Sequence, residues 1–302
     1  MASITLALDW TPNINHIGFF IAQELGYYKE YGLQVSITDP SEDNYSLTPA
    51  KKVELGLADF ALCPTESTIS YQTKSSPFKL IAVAAVLQQD LSAIVVKADS
   101  GISSPKDLDG KVYASYEARY EDEIVRQLVR NDGGSGDIKL SYPNKLEIWD
   151  ELLNDKVDAT WIFLNWEGVH VEQSDYKMNY FSLAEFNVPY SYSPVIAANE
   201  AMLKTKKSEY KAFIQATQKA YLYACENPES AAKMFRQYVP STDSEIDLLA
   251  ALKMSIDAFT DQGRWGYIDQ TKVSIFLDWL HERKLELVKL APEEIATNVL
   301  FE

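Results

Sequence analysis

Short apolar runs alternate with stretches of helical periodicity twice along the chain, and no flexible linker separates the two blocks. In the first block, residues 4–9 read as a buried strand and 18–31 as a helix stopped by Gly32. A second strand follows at 33–38, a helix at 50–57 and a third strand at 59–63. Pro64-Thr65-Glu66-Ser67 then forms a turn that opens another helix, and the runs 79–86 and 92–97 are rich in Ile, Val and Ala. In the second block, 111–116, 138–142 and 158–163 read as strands. Residues 122–131 and 146–153 read as helices, 132–136 as a glycine-rich loop, and a further helix begins near Asn165. Residues 193–198 look like a strand returning to the first block. From Ser208 onward the chain reads as almost entirely helical, over 212–225, 230–238, 244–259 and 270–283.

This order predicts an α/β protein of two lobes. Each lobe holds a mixed, mostly parallel sheet with flanking helices. With no long linker, the blocks must be joined by short crossovers near 85–92 and 190–194. The expected division is residues 1–88 with 194–302 as a discontinuous first lobe, and 89–193 as an inserted second lobe. Short crossovers are where a two-lobed protein bends. Open α/β sheets bind ligands outside the carboxyl ends of their strands, so the expected site is a cleft between the lobes.

Composition narrows the function. Forty-four acidic against 28 basic residues give a net charge of −16, and no basic run longer than Lys206-Lys207 occurs, so no nucleic-acid partner is expected. Cys63 and Cys225 are too far apart for a CxxC motif and read as small buried residues. His16, His170 and His281 do not fall at metal-ligand spacing, and no metal or cofactor is expected. No run reaches the ~20 apolar residues of a membrane helix. The first residues run straight into a strand, so the chain is either cytoplasmic or extracytoplasmic after removal of a leader.

Four segments follow strands on the expected cleft side. They are Asp9-Trp10-Thr11-Pro12-Asn13-Ile14-Asn15-His16, Pro64-Thr65-Glu66-Ser67-Thr68, Ala114-Ser115-Tyr116-Glu117, and Trp161-Ile162-Phe163-Leu164-Asn165-Trp166-Glu167-Gly168. A later loop adds Tyr190-Ser191-Tyr192. Each has a structural alternative. Asn13 or Asn15 can cap a helix, Asp9 can accept local backbone N–H groups, and Trp161 can be core. Glu167 can favour its helix dipole, and the tyrosines can be a solvated loop. Together they suit a flat, hydrogen-bonding ring: aromatic faces stack on it, carboxylates accept from an exocyclic amine, and amides satisfy both donor and acceptor edges. An anion would call for Arg, Lys or bare helix N-termini, of which only the donors at 65–68 are offered.

Leu8-Asp9-Trp10-Thr11-Pro12-Asn13 with Asn15-His16, Gly26-Tyr27-Tyr28 and Gly32-Leu33 resemble the opening of the thiamin-pyrimidine-binding proteins. That family includes the fungal-type enzymes that make the thiamin pyrimidine phosphate. Asn165-Trp166-Glu167-Gly168 resembles its second-lobe signature, and 104–111 resembles a second-lobe start common to many transporter binding proteins. The resemblance spans roughly residues 4–200. It implies a type II periplasmic-binding-protein fold with an aminopyrimidine between aromatic rings, Trp10 and Asn13 as first-lobe contacts, and Glu167 bonded to the pyrimidine. The synthases of the family carry a Cys-rich run and a cofactor-bound lysine. The matching stretches here read Glu185-Phe186-Asn187-Val188-Pro189-Tyr190 and Leu62-Cys63-Pro64.

The resulting expectation is a non-catalytic, monomeric binding protein for a thiamin-precursor aminopyrimidine that serves an ATP-driven permease. Its candidate ligand residues are Asp9, Trp10, Asn13, His16, Thr65, Glu66, Ser67, Tyr116, Trp161, Asn165, Trp166, Glu167, Tyr190 and Tyr192. The alternatives are a pyrimidine-phosphate synthase, a binder of a flavin or an alkyl sulfonate, and a cytoplasmic ligand sensor.

Overall fold

The computed structural model describes residues 1–302 and contains two five-stranded sheets. The first is built from β1 (Ala2–Ala7), β2 (Leu33–Thr38), β3 (Phe60–Cys63), β4 (Leu80–Ala85) and, later in the chain, β10 (Val195–Asn199). The second holds β5 (Ser92–Lys97), β6 (Val112–Ala114), β7 (Lys139–Ser141), β8 (Ala159–Phe163) and β9 (Met178–Phe181). The strand orders are β2-β1-β3-β10-β4 and β7-β6-β8-β5-β9.

Each sheet mixes two parallel with two antiparallel pairings, so the parallel share is lower than the alternation suggested. In the first, β1 runs parallel to β2 and β3, while β10 runs antiparallel to β3 and β4. In the second, β6 runs parallel to β7 and β8, while β5 runs antiparallel to β8 and β9. The antiparallel members are the strands that begin just after the chain changes block, where no crossover helix sets their direction.

The chain divides into two compact units: Met1–Asp90 with Ser191–Leu277 and Val288–Glu302, and Leu91–Tyr190 with Asp278–Leu287. The last ten-residue piece had been expected in the first unit. It falls at the end of the helix Gln270–Glu282, which passes from one unit into the other.

In the first unit, β4 is buried at every position, which explains its unbroken apolar run. A column of rings organises the core. Phe213, in the helix Lys207–Glu226, lies nearly parallel to Phe60, Tyr28 and Phe19 at centroid distances of 4.6, 5.5 and 6.4 Å. One core cluster of the second unit is Val95, Ala114, Ile148, Leu152, Val157 and Ile162. The helix expected near Asn165 starts as a π-helical turn, Leu164–Gly168, before the short helix Val169–Glu172. β9 and a small hairpin, β11 (Thr260–Asp261) with β12 (Arg264–Trp265), complete the fold. No helix is long and apolar enough to cross a membrane.

Candidate functional site

At the carboxyl end of β1 the chain makes a tight 3-10 turn, Ile14–His16. Asn13 caps it: the Asn13 side-chain oxygen accepts from Asn15 N–H at 2.9 Å. The Asn13 backbone N–H donates to His16 Nδ1 at 3.2 Å, and His16 Nε2 lies 2.8 Å from Asp9 Oδ1. Asp9 therefore takes a side-chain donor rather than a local backbone one. His16 is fully buried, whereas the Asp9 side chain remains 21% exposed. Trp10 is half-buried, and its ring lies 6.1 Å from that of Tyr45, tilted by 52°.

Tyr45 belongs to this group and was missed in the sequence. It follows β2 as Asp9 follows β1, and the carboxyl-end rule would have found it. Its hydroxyl donates to the Asp9 carbonyl at 2.8 Å. Its φ of 58° is left-handed, which is uncommon for a bulky side chain and marks a position the surroundings hold in place. Burial, then the negative charge of Asp9, pushes its phenol pKa upward.

β3 ends at Cys63, beside Asp9, Glu66 and Ser67. Thr65 is spent on the backbone of Tyr192: its N–H and hydroxyl donate to the Tyr192 carbonyl at 3.0 and 2.8 Å, and its hydroxyl accepts the Tyr192 N–H at 3.2 Å. Ser67 N–H is likewise taken by the Pro64 carbonyl at 2.9 Å. The bare helix-terminus donors expected at 65–68 are thus largely used. Glu66 is buried, and Tyr192 is buried with its hydroxyl accepting Asp269 N–H at 3.0 Å. Tyr192 lines a concavity of about 420 Å³ with Gln88, Asp269 and Lys272, away from the Asp9–Trp10 group in sequence and in bonding partners.

In the second unit, Trp161 is half-buried and packs at 5.2 Å against Tyr190, tilted by 57°. Asn165 and Trp166 are buried, the latter edge-on to His170 at 6.0 Å. Glu167 Oε2 accepts the Phe163 N–H at 3.0 Å and so stabilises the turn it sits in. Tyr116 follows β6, and Glu121 organises its loop by accepting from Tyr113 O–H, Tyr116 N–H and Ala118 N–H at 2.7, 3.0 and 3.1 Å.

Burial raises the Glu121 carboxyl above its ordinary value, against the lowering pull of those three bonds. A carboxyl raised in the folded state favours folding when protonated. Its contribution is present below the unfolded pKa and is lost as pH rises through the folded one. Glu121→Gln removes this titration. The melting temperature of the variant should therefore gain on that of the wild type as pH rises above about 4.5, measured by thermal melts across pH. A constant gap would show that Glu121 titrates as it does in the unfolded chain.

Of the two free cysteines, Cys63 is buried and burial pushes its thiol up, while Cys225 is only partly covered. The stretch that the resemblance matches to the cofactor lysine of the synthases, Leu62-Cys63-Pro64, thus holds a buried thiol at the end of β3. It offers no amine for an imine link, and the stretch 185–190 offers no cysteine. These residues do not fit that chemistry. No cluster of three or more His, Cys, Asp or Glu side chains is placed to hold a metal ion.

Comparison with known proteins gives the same lineage. A formylaminopyrimidine-binding protein from Halalkalibacterium halodurans is 25% identical over 232 residues, 76% of this chain and 69% of that protein. A 4-amino-5-hydroxymethyl-2-methylpyrimidine phosphate synthase from Legionella pneumophila is 24% identical over 240 residues, 78% of this chain and 74% of the other. Among solved structures, a conserved Candida albicans gene product described as exhibiting the generic periplasmic binding protein structural fold superposes with a TM-score of 0.73. That match has 15% identity and covers 99% of this chain and 97% of the other, so the fold is shared. The NMT1/THI5-like family model matches residues 13–231, and the chain belongs to that family.

Proposed function

We propose that the chain captures a thiamin-precursor aminopyrimidine, of the hydroxymethylpyrimidine or formylaminopyrimidine type, as the binding component of an ATP-driven importer. The observation that carries this reading is chemical. The segments that follow β1 and β8 each carry half-buried aromatic surface and a carboxylate: Asp9 and Trp10 in the first unit, and in the second Trp161, at 5.2 Å from Tyr190, with Glu167 in the turn after β8. Stacking plus amine-accepting oxygens is what an aminopyrimidine requires. The relative named as a formylaminopyrimidine-binding protein supports the same ligand class. Binding free energy then goes into holding the ring rather than breaking a bond.

Calorimetric titration with 4-amino-5-hydroxymethyl-2-methylpyrimidine and with the formylaminopyrimidine tests the reading. Saturable binding of either is expected, and no heat at millimolar ligand overturns the ligand class. Glu167→Gln should cost about 1.5 kcal/mol of affinity through loss of a charge-assisted hydrogen bond, roughly ten-fold. If Glu167 only supports its turn, the variant melts lower and binds unchanged.

The synthase relatives make conversion the competing reading. Pyrimidine phosphate formed in the presence of pyridoxal phosphate and iron, dependent on this chain, would replace capture by catalysis.

A further inference from the structure

The pair Asp9–His16 carries more than ligand contact. A ring nitrogen that accepts a backbone N–H bears no proton, so the 3.2 Å bond from Asn13 N–H to His16 Nδ1 leaves the proton of the neutral imidazole on Nε2. That proton points at Asp9 Oδ1, 2.8 Å away. His16 is fully buried and has both ring nitrogens engaged within the chain. The loop around it is pinned from several sides. Tyr45 O–H donates to the Asp9 carbonyl at 2.8 Å, Tyr221 O–H donates to the Asn15 carbonyl at 2.5 Å, and Asn15 N–H donates to the Asn13 side chain at 2.9 Å. One carboxylate oxygen is thereby fixed from behind. The other, Oδ2, takes no hydrogen bond from the chain, and the Asp9 side chain keeps 21% of its surface exposed, one residue before Trp10 in the chain.

We propose that His16 is a positioning residue that holds Asp9 so that Oδ2 accepts from the exocyclic amine of the ring, and that this pair selects amino-substituted rings over des-amino ones. The proposal rests on the capture reading above. A carboxylate with a free lone pair and a locked rotamer gains a charge-assisted bond from an N–H donor and gains nothing from a C–H edge. Locking the rotamer from behind removes the ordering cost at the moment of binding.

Two variants separate the two ring nitrogens. His16→Asn places its amide near Nδ1 and loses the donor to Asp9. His16→Gln places its amide near Nε2, keeps that donor and loses the acceptor for Asn13. Both delete a buried ring and should lower the melting temperature to a similar extent. The readout is the ratio of dissociation constants for 5-hydroxymethyl-2-methylpyrimidine and its 4-amino form, measured by calorimetry. His16→Gln should keep the wild-type ratio to within about three-fold, and His16→Asn should lower it about ten-fold. Equal ratios in both variants overturn the positioning role. Nitrogen-15 spectra of histidine-labelled protein without ligand give an independent reading: the Nε2–H tautomer is expected, with a shift on Asp9→Asn, and an Nδ1–H tautomer overturns the arrangement. If the wild type binds no aminopyrimidine, the capture reading falls and the selection role with it, while the spectra still decide whether His16 holds Asp9.

Discussion

Trp10→Ala should weaken aminopyrimidine binding roughly thirty-fold with the fold intact. The indole is half-buried and tilts against Tyr45 at 6.1 Å, so it is not part of the ring column around Phe213 that builds the first unit. A pyrimidine ring stacked on it gains about 1 kcal/mol from stacking and about as much again from the apolar area covered. Together that is about 2 kcal/mol, and each 1.4 kcal/mol is a factor of ten. Calorimetric titration beside a thermal melt checks both halves of the statement. If Trp10 is instead a packing residue, the melting temperature drops and the affinity stays, and the first-unit contact must be sought elsewhere. Trp10→Phe keeps a stacking face and should recover much of the loss.

How much of this was legible in the sequence depends on how far apart the interacting residues lie. The strands that build the sheets announce themselves locally, as runs such as Leu80–Ala85 and Ser92–Lys97 whose every or nearly every side chain is buried. β9 did not, because Met178–Phe181 is four residues long and mostly half-exposed, with no apolar run to mark it. The placement of Asp278–Leu287 with the second unit was equally hidden, since periodicity reports that a helix has a buried face but not what covers it. The same limit applied at the site. The order Asp9-Trp10…Asn13…His16 flagged a polar, aromatic turn after a strand, but that His16 faces inward is decided by Asn13 and Asp9 folding back on it. Thr65 looked like an open helix-terminus donor until its bonds to Tyr192, 127 residues away, were formed.

Gly18→Ala should be the most damaging small substitution in the chain, costing about 3 kcal/mol or more. Gly18 lies in the helix Ile17–Glu24, which packs on the helix Lys207–Glu226. A Cβ there would sit 2.5 Å from Tyr221 Cγ and nearer still to its Cδ2 and Cε2. Tyr221 cannot step aside. Its ring is stacked on Trp265 at 4.5 Å, meets Phe19 and Phe259 edge-on at 5.6 and 5.1 Å, and its hydroxyl is bonded to the Asn15 carbonyl. Either the two helices separate and open the core or the tyrosine moves and releases Asn15. Both routes disturb the turn that carries Asp9, so ligand affinity should fall with stability. At about 2–4 °C per kcal/mol for a domain of this size, the melting temperature should drop by roughly 6–12 °C. Gly168→Ala supplies the contrast. Its backbone is already helical at φ −59° and ψ −41°, and an added Cβ would meet Leu164 at an ordinary 3.6 Å. That substitution should be neutral or stabilising by about 0.5 kcal/mol, because alanine loses less backbone entropy than glycine. Equal melting temperatures for the two variants would mean that the helix at Gly18 can retreat from Tyr221 without cost, and that the aromatic packing behind the Asp9–His16 turn is looser than these distances imply.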